Sequence, residues 1–181
     1  MTGTASSLRV AVVIGNPRAG GRTTTVGKAA AAAVLAHAGI SDGELSVIEL
    51  ADIGSDLFGW GDPAVSAAKA IVLSSDVLVV VSPVYKASFT GLLKAFLDQF
   101  GHDELAAMAT VPVMIGGGAA HTLAVEQQLR PVLIEIGASC PTRGLFVQDD
   151  RLDTLDEQLA AWLAVWGDVL VGTARARQAS R

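Results

Sequence analysis

The feature that most constrains the fold is a repeated alternation of short apolar segments with helical segments along the chain. The clearest apolar segment is DVLVVVS at 76–82, where apolar side chains would face both sides of a strand. Strands of this kind lie in the middle of parallel sheets that are covered by helices on both faces. Similar segments occur at 8–14, 44–50, 111–115 and 144–147. Five strand–helix repeats predict an α/β fold with a doubly wound, five-stranded parallel sheet in the order 2-1-3-4-5.

The helical segments have the spacing of apolar residues expected for helices that cover such a sheet. They are predicted at 26–38, 64–74, 90–100, 121–136 and 154–171. We interpret all 181 residues as one domain. Residues 1–7 and 174–181 are expected to be disordered tails.

Composition limits the classes of function and the surroundings of the protein. Hydrophobic residues make up 51% of the chain and charged residues 17%, so we expect a large core and a surface partly covered by another subunit. A net charge of −5 without a basic cluster is evidence against nucleic acid as a partner. We predict a cytoplasmic protein with no membrane partner, for three reasons. The chain has a single cysteine, its longest strand-like apolar run is too short to span a bilayer, and residues 1–7 do not resemble a signal peptide.

Unusual residues gather after the first, third and fourth predicted strands. These segments read GNPRAGGRT, SPVYKASFTG and GGGAAH. In a doubly wound sheet, ligands bind beyond the carboxyl ends of the strands, where the strand order reverses. In the order 2-1-3-4-5 that point lies between the first and third strands, so the three segments are expected to form one ligand site.

The first of these segments has the properties of a phosphate site. Arg18 and Arg22 supply forked, permanently charged donors. Three hydroxyl groups, on Thr23, Thr24 and Thr25, lie where a helix begins and presents unpaired amide N–H groups. The alternative is a glycine-rich connection with no ligand, which remains open from this segment alone.

The glycine spacing narrows the kind of phosphate ligand. Gly15 is followed by no glycine until Gly20, which does not match the G-x-G-x-x-G dinucleotide pattern. The Walker pattern would need one residue fewer and Lys in place of Arg22. A mononucleotide phosphate remains. The peptide groups of residues 84–87 and the glycines after strand four suit a flat ring bound beside it.

Three motifs resemble the NADPH-dependent FMN reductases, and most closely the flavin reductases of two-component sulfonate-utilisation systems. They are Gly15–Arg18 with Arg22–Thr24, the long run Pro83–Lys94, and Gly117-Gly118 with His121. The resemblance covers about residues 8 to 150, and the second motif is the most specific. Asn16 stands where the family commonly has Ser, which keeps a polar donor.

The resemblance implies a flavodoxin-like fold, FMN as ligand, NADPH or NADH as electron donor and a homodimer or homotetramer. The implied phosphate contacts are Asn16, Arg18, Thr23 and Thr24, with Arg22 beside them. The implied contacts to the isoalloxazine ring are Pro83, Val84, Tyr85 and Lys86, with Gly117, Gly118 and His121 along its far edge. His121 and Lys86 are the candidate helpers in catalysis, and Lys86 is a candidate contact for the nicotinamide phosphate.

The resemblance implies an NAD(P)H:FMN oxidoreductase that supplies reduced flavin or electrons to an acceptor such as a monooxygenase. Hydride transfer of this kind is performed by the cofactors, so no catalytic triad and no metal site are expected. Alternatives are a quinone, azo or metal reductase with tightly bound FMN, a flavodoxin-like electron carrier, and a nucleotide-binding regulatory module.

Overall fold

One parallel five-stranded sheet forms the centre of the computed structural model, which describes residues 7–41 and 43–181. The strand order is β2-β1-β3-β4-β5, and every neighbouring pair is parallel. The strands are β1 Arg9–Ile14, β2 Glu44–Glu49, β3 Val77–Pro83, β4 Ala109–Gly116 and β5 Leu145–Gln148. The predicted fold class and strand order are therefore confirmed.

Five α-helices cover the two faces of the sheet. They are α1 Arg22–His37, α2 Pro63–Ser74, α3 Gly91–Leu97, α4 Arg130–Glu135 and α5 Leu155–Ala179. Alternate residues of β1 belong to different cores: Val12 packs in the core of α1 and α5, whereas Val13 packs in the core of the other three helices. This two-residue period lets the strands feed both cores. Because all five strands are parallel, their carboxyl ends lie at one edge of the sheet.

Close packing of α1 on β1 fixes where α1 begins. A Cβ atom at Gly27 would lie 2.7 Å from Ile14 Cδ1 and 2.9 Å from Val12 Cγ1. Only glycine allows this approach, so α1 lies directly over the end of β1.

The expectation of a disordered tail at 174–181 is wrong, because α5 continues to Ala179. Ala174 is fully buried, and Arg177 Nη1 donates to the Ser75 carbonyl at 2.8 Å. Arg181 Nη1 lies 3.2 Å from Asp76 Oδ1. The carbonyls at the end of α2 carry partial negative charge, which attracts these arginines. Residues 1–6 of the other expected tail lie outside the described residues.

The helix α5 and the turn before it, Leu152–Ala179, are long and apolar enough to cross a membrane by length and composition. In this fold one stripe of the helix is buried, including Leu159, Leu163 and Leu170. Trp162 is partly buried against the same core and donates its Nε1 hydrogen to the Arg143 carbonyl at 2.9 Å. The stripe identifies α5 as a cover of the sheet.

The prediction of one regular helix over 121–136 is also wrong. A 3-10 turn covers Ala119–His121, a π-helical segment covers Val125–Leu129, and only Arg130–Glu135 is α-helical. Pro131 lacks an N–H group and its ring crowds the carbonyl four residues earlier, which disfavours a regular α-helical ladder at this point.

Candidate functional site

The turn between β1 and α1 leaves the first amide groups of α1 without a side-chain acceptor. Gly21 is the N-cap and provides no side-chain cap, and the first turn of α1 contains no acidic residue. Gly20 adopts a left-handed conformation, with φ of +69°. Unpaired N–H groups at the positive end of a helix bind anions. This helix start therefore retains its capacity to bind a phosphate.

Asn16 and Thr23 form a hydrogen-bonded pair across this turn. Asn16 Nδ2 donates to Thr23 Oγ1 at 2.8 Å, and Asn16 Oδ1 accepts from the Arg18 backbone N–H at 3.0 Å. Because the Thr23 oxygen accepts in this pair, its own hydroxyl proton remains available to an acceptor on a ligand. Thr23 therefore presents a hydroxyl donor whose orientation is set by Asn16.

Thr24 has a different partner, which the sequence analysis missed. Its hydroxyl donates to Glu49 Oε1 at 2.6 Å, and the Gly20 N–H lies 3.4 Å from the same oxygen. Glu49 ends β2, next to the end of β1. An acidic residue at the end of the neighbouring strand was the available signal.

Arg18 and Arg22 are exposed at the mouth of this turn. Arg22 Nη1 lies 3.9 Å from Asp149 Oδ1, and the side chains of Arg22 and Asp149 are 66% and 40% exposed. Asp149 also donates its backbone N–H to the Gly116 carbonyl at 3.1 Å. Asp149, a second residue missed from sequence, therefore links the first turn to the end of β4.

The segment after β3 folds into a tight turn with unusual backbone angles. Tyr85 and Ser88 exchange backbone hydrogen bonds of 2.8 and 3.1 Å. Between them, Lys86 and Ala87 have φ of 52° and 65°. Left-handed angles cost a non-glycine residue about 1 kcal/mol each, and such strain concentrates at functional sites. The turn exposes Tyr85 and Lys86.

Thr90 ties this segment to the first turn. Its hydroxyl donates to the Gly15 carbonyl at 2.6 Å, and its backbone N–H donates to Ser82 Oγ at 3.1 Å. Thr90 also caps α3 by accepting from the Leu93 N–H. All of these groups are buried, so the two loops are held in a fixed relation.

The segment after β4 completes the same edge. The Val84 N–H donates to the Ile115 carbonyl at 2.7 Å, which joins the second and third loops. Added Cβ atoms at Gly117 and Gly118 would meet open space, apart from an Asp149 oxygen at 4.0 Å. Packing within the chain thus does not require these glycines, and the space above them is open to a ligand. His121 lies in the following 3-10 turn and is partly buried.

The residues that the sequence analysis selected therefore lie at or next to the carboxyl ends of β1, β3 and β4. They are Asn16 and Arg18 in the β1–α1 turn with Arg22, Thr23 and Thr24 at the start of α1; Pro83 at the end of β3 with Val84, Tyr85 and Lys86 after it; and Gly117, Gly118 and His121 after β4. The hydrogen bonds of Thr90 and Val84 hold the three loops together.

The π-helical segment contributes a salt bridge behind the third loop. Glu126 Oε2 accepts from Arg130 Nε at 2.5 Å, and Glu126 Oε1 accepts from the Gly144 N–H at 2.6 Å. Burial raises the pKa of Glu126, but these two donors outweigh it and the pKa is lowered. Burial raises the pKa of the nearby Cys140 thiol to about 11, which keeps it protonated at neutral pH.

Two exposed aromatic residues lie in the loop after β2. Phe58 and Trp60 are 81% and 77% exposed, although Leu57 between β2 and them is buried. Gln99 Nε2 donates to the Leu57 carbonyl at 2.7 Å and so anchors this loop near α3. Large exposed aromatic side chains of this kind indicate a contact surface.

Comparison with known proteins gives concordant matches. The family model described as NADPH-dependent FMN reductase matches residues 8–151. An FMN reductase (NADPH) from Pseudomonas putida is 40% identical over 93 residues, which are 51% of this chain and 47% of that protein. The NADH-dependent FMN reductase SfnF from Pseudomonas putida is 31% identical over 153 residues, which are 82% of this chain and 81% of SfnF.

A solved structure extends the likeness to three dimensions. The apo form of an NADH:FMN oxidoreductase, EMOB, superposes with a TM-score of 0.72 at 29% identity, over 86% of this chain and 88% of that one. The match to the first reductase spans only about half of its length, whereas the matches to SfnF and to EMOB span most of theirs.

Proposed function

The chain belongs to the NADPH-dependent FMN reductase family, and we propose that it reduces FMN with hydride from NADPH or NADH. The observation that carries this proposal is the uncapped start of α1 beside a free Thr23 hydroxyl and the Arg18 side chain. That combination matches a terminal phosphate, which is the group that distinguishes FMN from riboflavin.

The residues present fit FMN at each end. Asn16, Arg18, Thr23 and the α1 amides would hold the phosphate, with Arg22 beside it. Pro83, Val84, Tyr85 and Lys86 would contact the ring. Open space above Gly117 and Gly118 leaves room for the far edge of the ring, next to His121.

When bound, FMN supplies the redox chemistry by accepting a hydride from the nicotinamide. The protein's contribution is orientation, because two planar rings must be held at near-attack distance. The fixed relation between the first and second loops, set by Thr90, serves this purpose. Lys86 lies in the turn after β3 with an exposed side chain, so its ammonium group suits a contact to a phosphate of the nicotinamide donor.

The partners follow from the same reasoning. A reductase of this kind would pass reduced flavin or electrons to an acceptor such as a flavin-dependent monooxygenase in the cytoplasm. The exposed Phe58 and Trp60 support a homodimer or homotetramer that covers this surface.

The test is a flavin titration of the purified protein followed by anaerobic stopped-flow mixing with NADPH and with NADH. We expect saturable FMN binding that is at least about tenfold tighter than riboflavin binding, and bleaching of the flavin absorbance by at least one of the two donors. Turnover that depends on added free FMN would identify flavin as a substrate. Flavin that stays tightly bound to the protein, together with fast reduction of quinones, would identify a quinone reductase instead.

Two outcomes would overturn the proposal. Flavin that stays oxidised with both donors would indicate an electron carrier, and a protein that binds no flavin at any concentration would indicate a regulatory nucleotide-binding module.

A further inference from the structure

A carboxylate beside a phosphate-binding turn is unexpected, because two negative groups repel each other. Glu49 nevertheless lies against the turn and accepts from Thr24 Oγ1 at 2.6 Å and from the Gly20 N–H at 3.4 Å. Its other oxygen, Oε2, is buried and has no hydrogen-bond partner among the residues that the structure describes.

An unpaired buried oxygen costs free energy, and its persistence in a native structure calls for a compensating role. The compensation lies in the two contacts of Oε1. Gly20 has a left-handed backbone and precedes the N-cap of α1, while Thr24 lies in the first turn of α1. Glu49 therefore ties the flexible part of the turn to the helix that follows.

The same contact changes the role of Thr24. A hydroxyl has one proton, and that of Thr24 is donated to Glu49. A phosphate oxygen offers only acceptors, so Thr24 cannot donate to it while this bond persists. Thr23, in contrast, keeps its proton because its oxygen accepts from Asn16. Neighbouring threonines thus have different roles.

We propose that Glu49 is a positioning residue, which, through Thr24 and Gly20, holds the β1–α1 turn in the shape that receives the FMN phosphate. The proposal rests on the proposed function, since it assumes that the phosphate binds at this turn. It assigns the phosphate contact to Thr23 and the support of the turn to Thr24.

The test measures dissociation constants for FMN and for riboflavin by quenching of flavin fluorescence. Glu49→Ala and Thr24→Val each remove the contact, and we expect each to weaken FMN binding about tenfold and leave riboflavin binding unchanged. Both substitutions remove the same hydrogen bond. The double variant should therefore bind FMN no more weakly than the single variant with the larger loss.

Conservative variants separate positioning from charge. Glu49→Gln keeps an amide oxygen that can accept from Thr24 and Gly20, and Thr24→Ser keeps the hydroxyl, so both should bind FMN within about threefold of the original protein. Glu44→Ala removes an exposed glutamate at the other end of β2 and is the matched control. Should Glu49→Ala fail to fold by circular dichroism, Thr24→Val and Thr24→Ser carry the test.

The outcomes distinguish the two proposals. If the original protein binds FMN no better than riboflavin, the phosphate assignment itself fails. If the original protein prefers FMN but Glu49→Ala and Thr24→Val keep that preference, only the role of Glu49 is overturned. Additive losses in the double variant, FMN binding by Glu49→Gln that is tighter by clearly more than about threefold, or equal losses for both flavins would overturn it as well.

Discussion

Two carboxylates at opposite edges of the same sheet have contrasting surroundings. At the amino edge, Asp76 is 1% exposed and both of its oxygens accept: the Arg9 N–H reaches Oδ2 at 2.8 Å and Arg181 reaches Oδ1 at 3.2 Å. At the carboxyl edge, Glu49 has two donors on one oxygen and none on the other, among the described residues. At the amino edge the chain itself supplies hydrogen-bond partners to both carboxylate oxygens, whereas at the carboxyl edge one carboxylate oxygen has no partner among the described residues.

The backbone shows the same contrast. The amino edge is closed by the end of α5 and the residues after it, where Arg177 and Arg181 donate to the Ser75 carbonyl that follows α2. The carboxyl edge contains left-handed Lys86 and Ala87 and two glycines with open space above them. Left-handed non-glycine residues are not confined to this edge, because Asp103 and Ala107 lie in the connection before β4. What distinguishes the carboxyl edge is the uncapped start of α1, which keeps its first amide groups available to an anion.

The largest expected effect tests the satisfied edge. Asp76→Ala would leave the Arg9 N–H without an acceptor and would remove the carboxylate partner of Arg181, and we expect a loss of about 3 kcal/mol in the free energy of unfolding. Urea unfolding measures it, with the exposed Asp153→Ala as the control. The folded variant should keep its preference for FMN over riboflavin. An unfolding curve equal to that of the original protein would mean that the amino edge is not held by Asp76.

The next effect tests the ligand edge. Arg18→Ala removes a charged donor from the phosphate turn, and we expect FMN binding to weaken about 30-fold, which corresponds to about 2 kcal/mol. Riboflavin, which lacks the phosphate, should bind as before. Flavin titration measures both, and Arg175→Ala on the exposed side of α5 is the control. Equal losses for the two flavins would contradict the assignment of this turn to phosphate.

A third carboxylate, Glu126, sharpens the comparison because it lies near the ligand edge but has donors on both oxygens. Its pKa is lowered in the fold, so its contribution to stability is present above the pKa of the unfolded chain and is lost as the pH falls through the folded pKa. We expect Glu126→Gln to lose about 1 kcal/mol at neutral pH and to lose less further stability than the original protein on acidification. Urea unfolding at several pH values measures this, and parallel curves would contradict it.

Much of the fold was predictable from sequence because the signals are local. Apolar residues on both faces of residues 77–81 require a buried strand, and glycine, proline and arginine after β1, β3 and β4 mark the site edge. Both kinds of signal depend on residues only a few positions apart. The alternation of such strands with helices predicted the strand order, and the unusual residues predicted the three loops.

The misses involve partners that are distant in sequence. Arg181 and Asp76 are 105 positions apart and Thr24 and Glu49 are 25 apart, so neither pair is visible until the sheet brings their elements together. Nothing near residues 174–181 in the sequence indicates that their arginines reach the end of α2. In the same way, nothing near Thr24 indicates its contact with Glu49, and the phosphate role implied for Thr24 stays a prediction.

The smallest expected effect concerns Asp149, which lies 3.9 Å from Arg22 in a pair that is open to solvent on both sides, with side chains 66% (Arg22) and 40% (Asp149) exposed. Exposed ion pairs are screened by solvent and contribute little, so Asp149→Asn should tighten FMN binding by no more than about twofold. Titration at low and at physiological ionic strength should show the gain shrink as salt is added. A gain of about tenfold that persists in salt would mean that the pair closes the mouth of the site before FMN enters. The carboxyl edge would then be satisfied by its own ion pair, as the amino edge is, and the contrast between the two edges would fail.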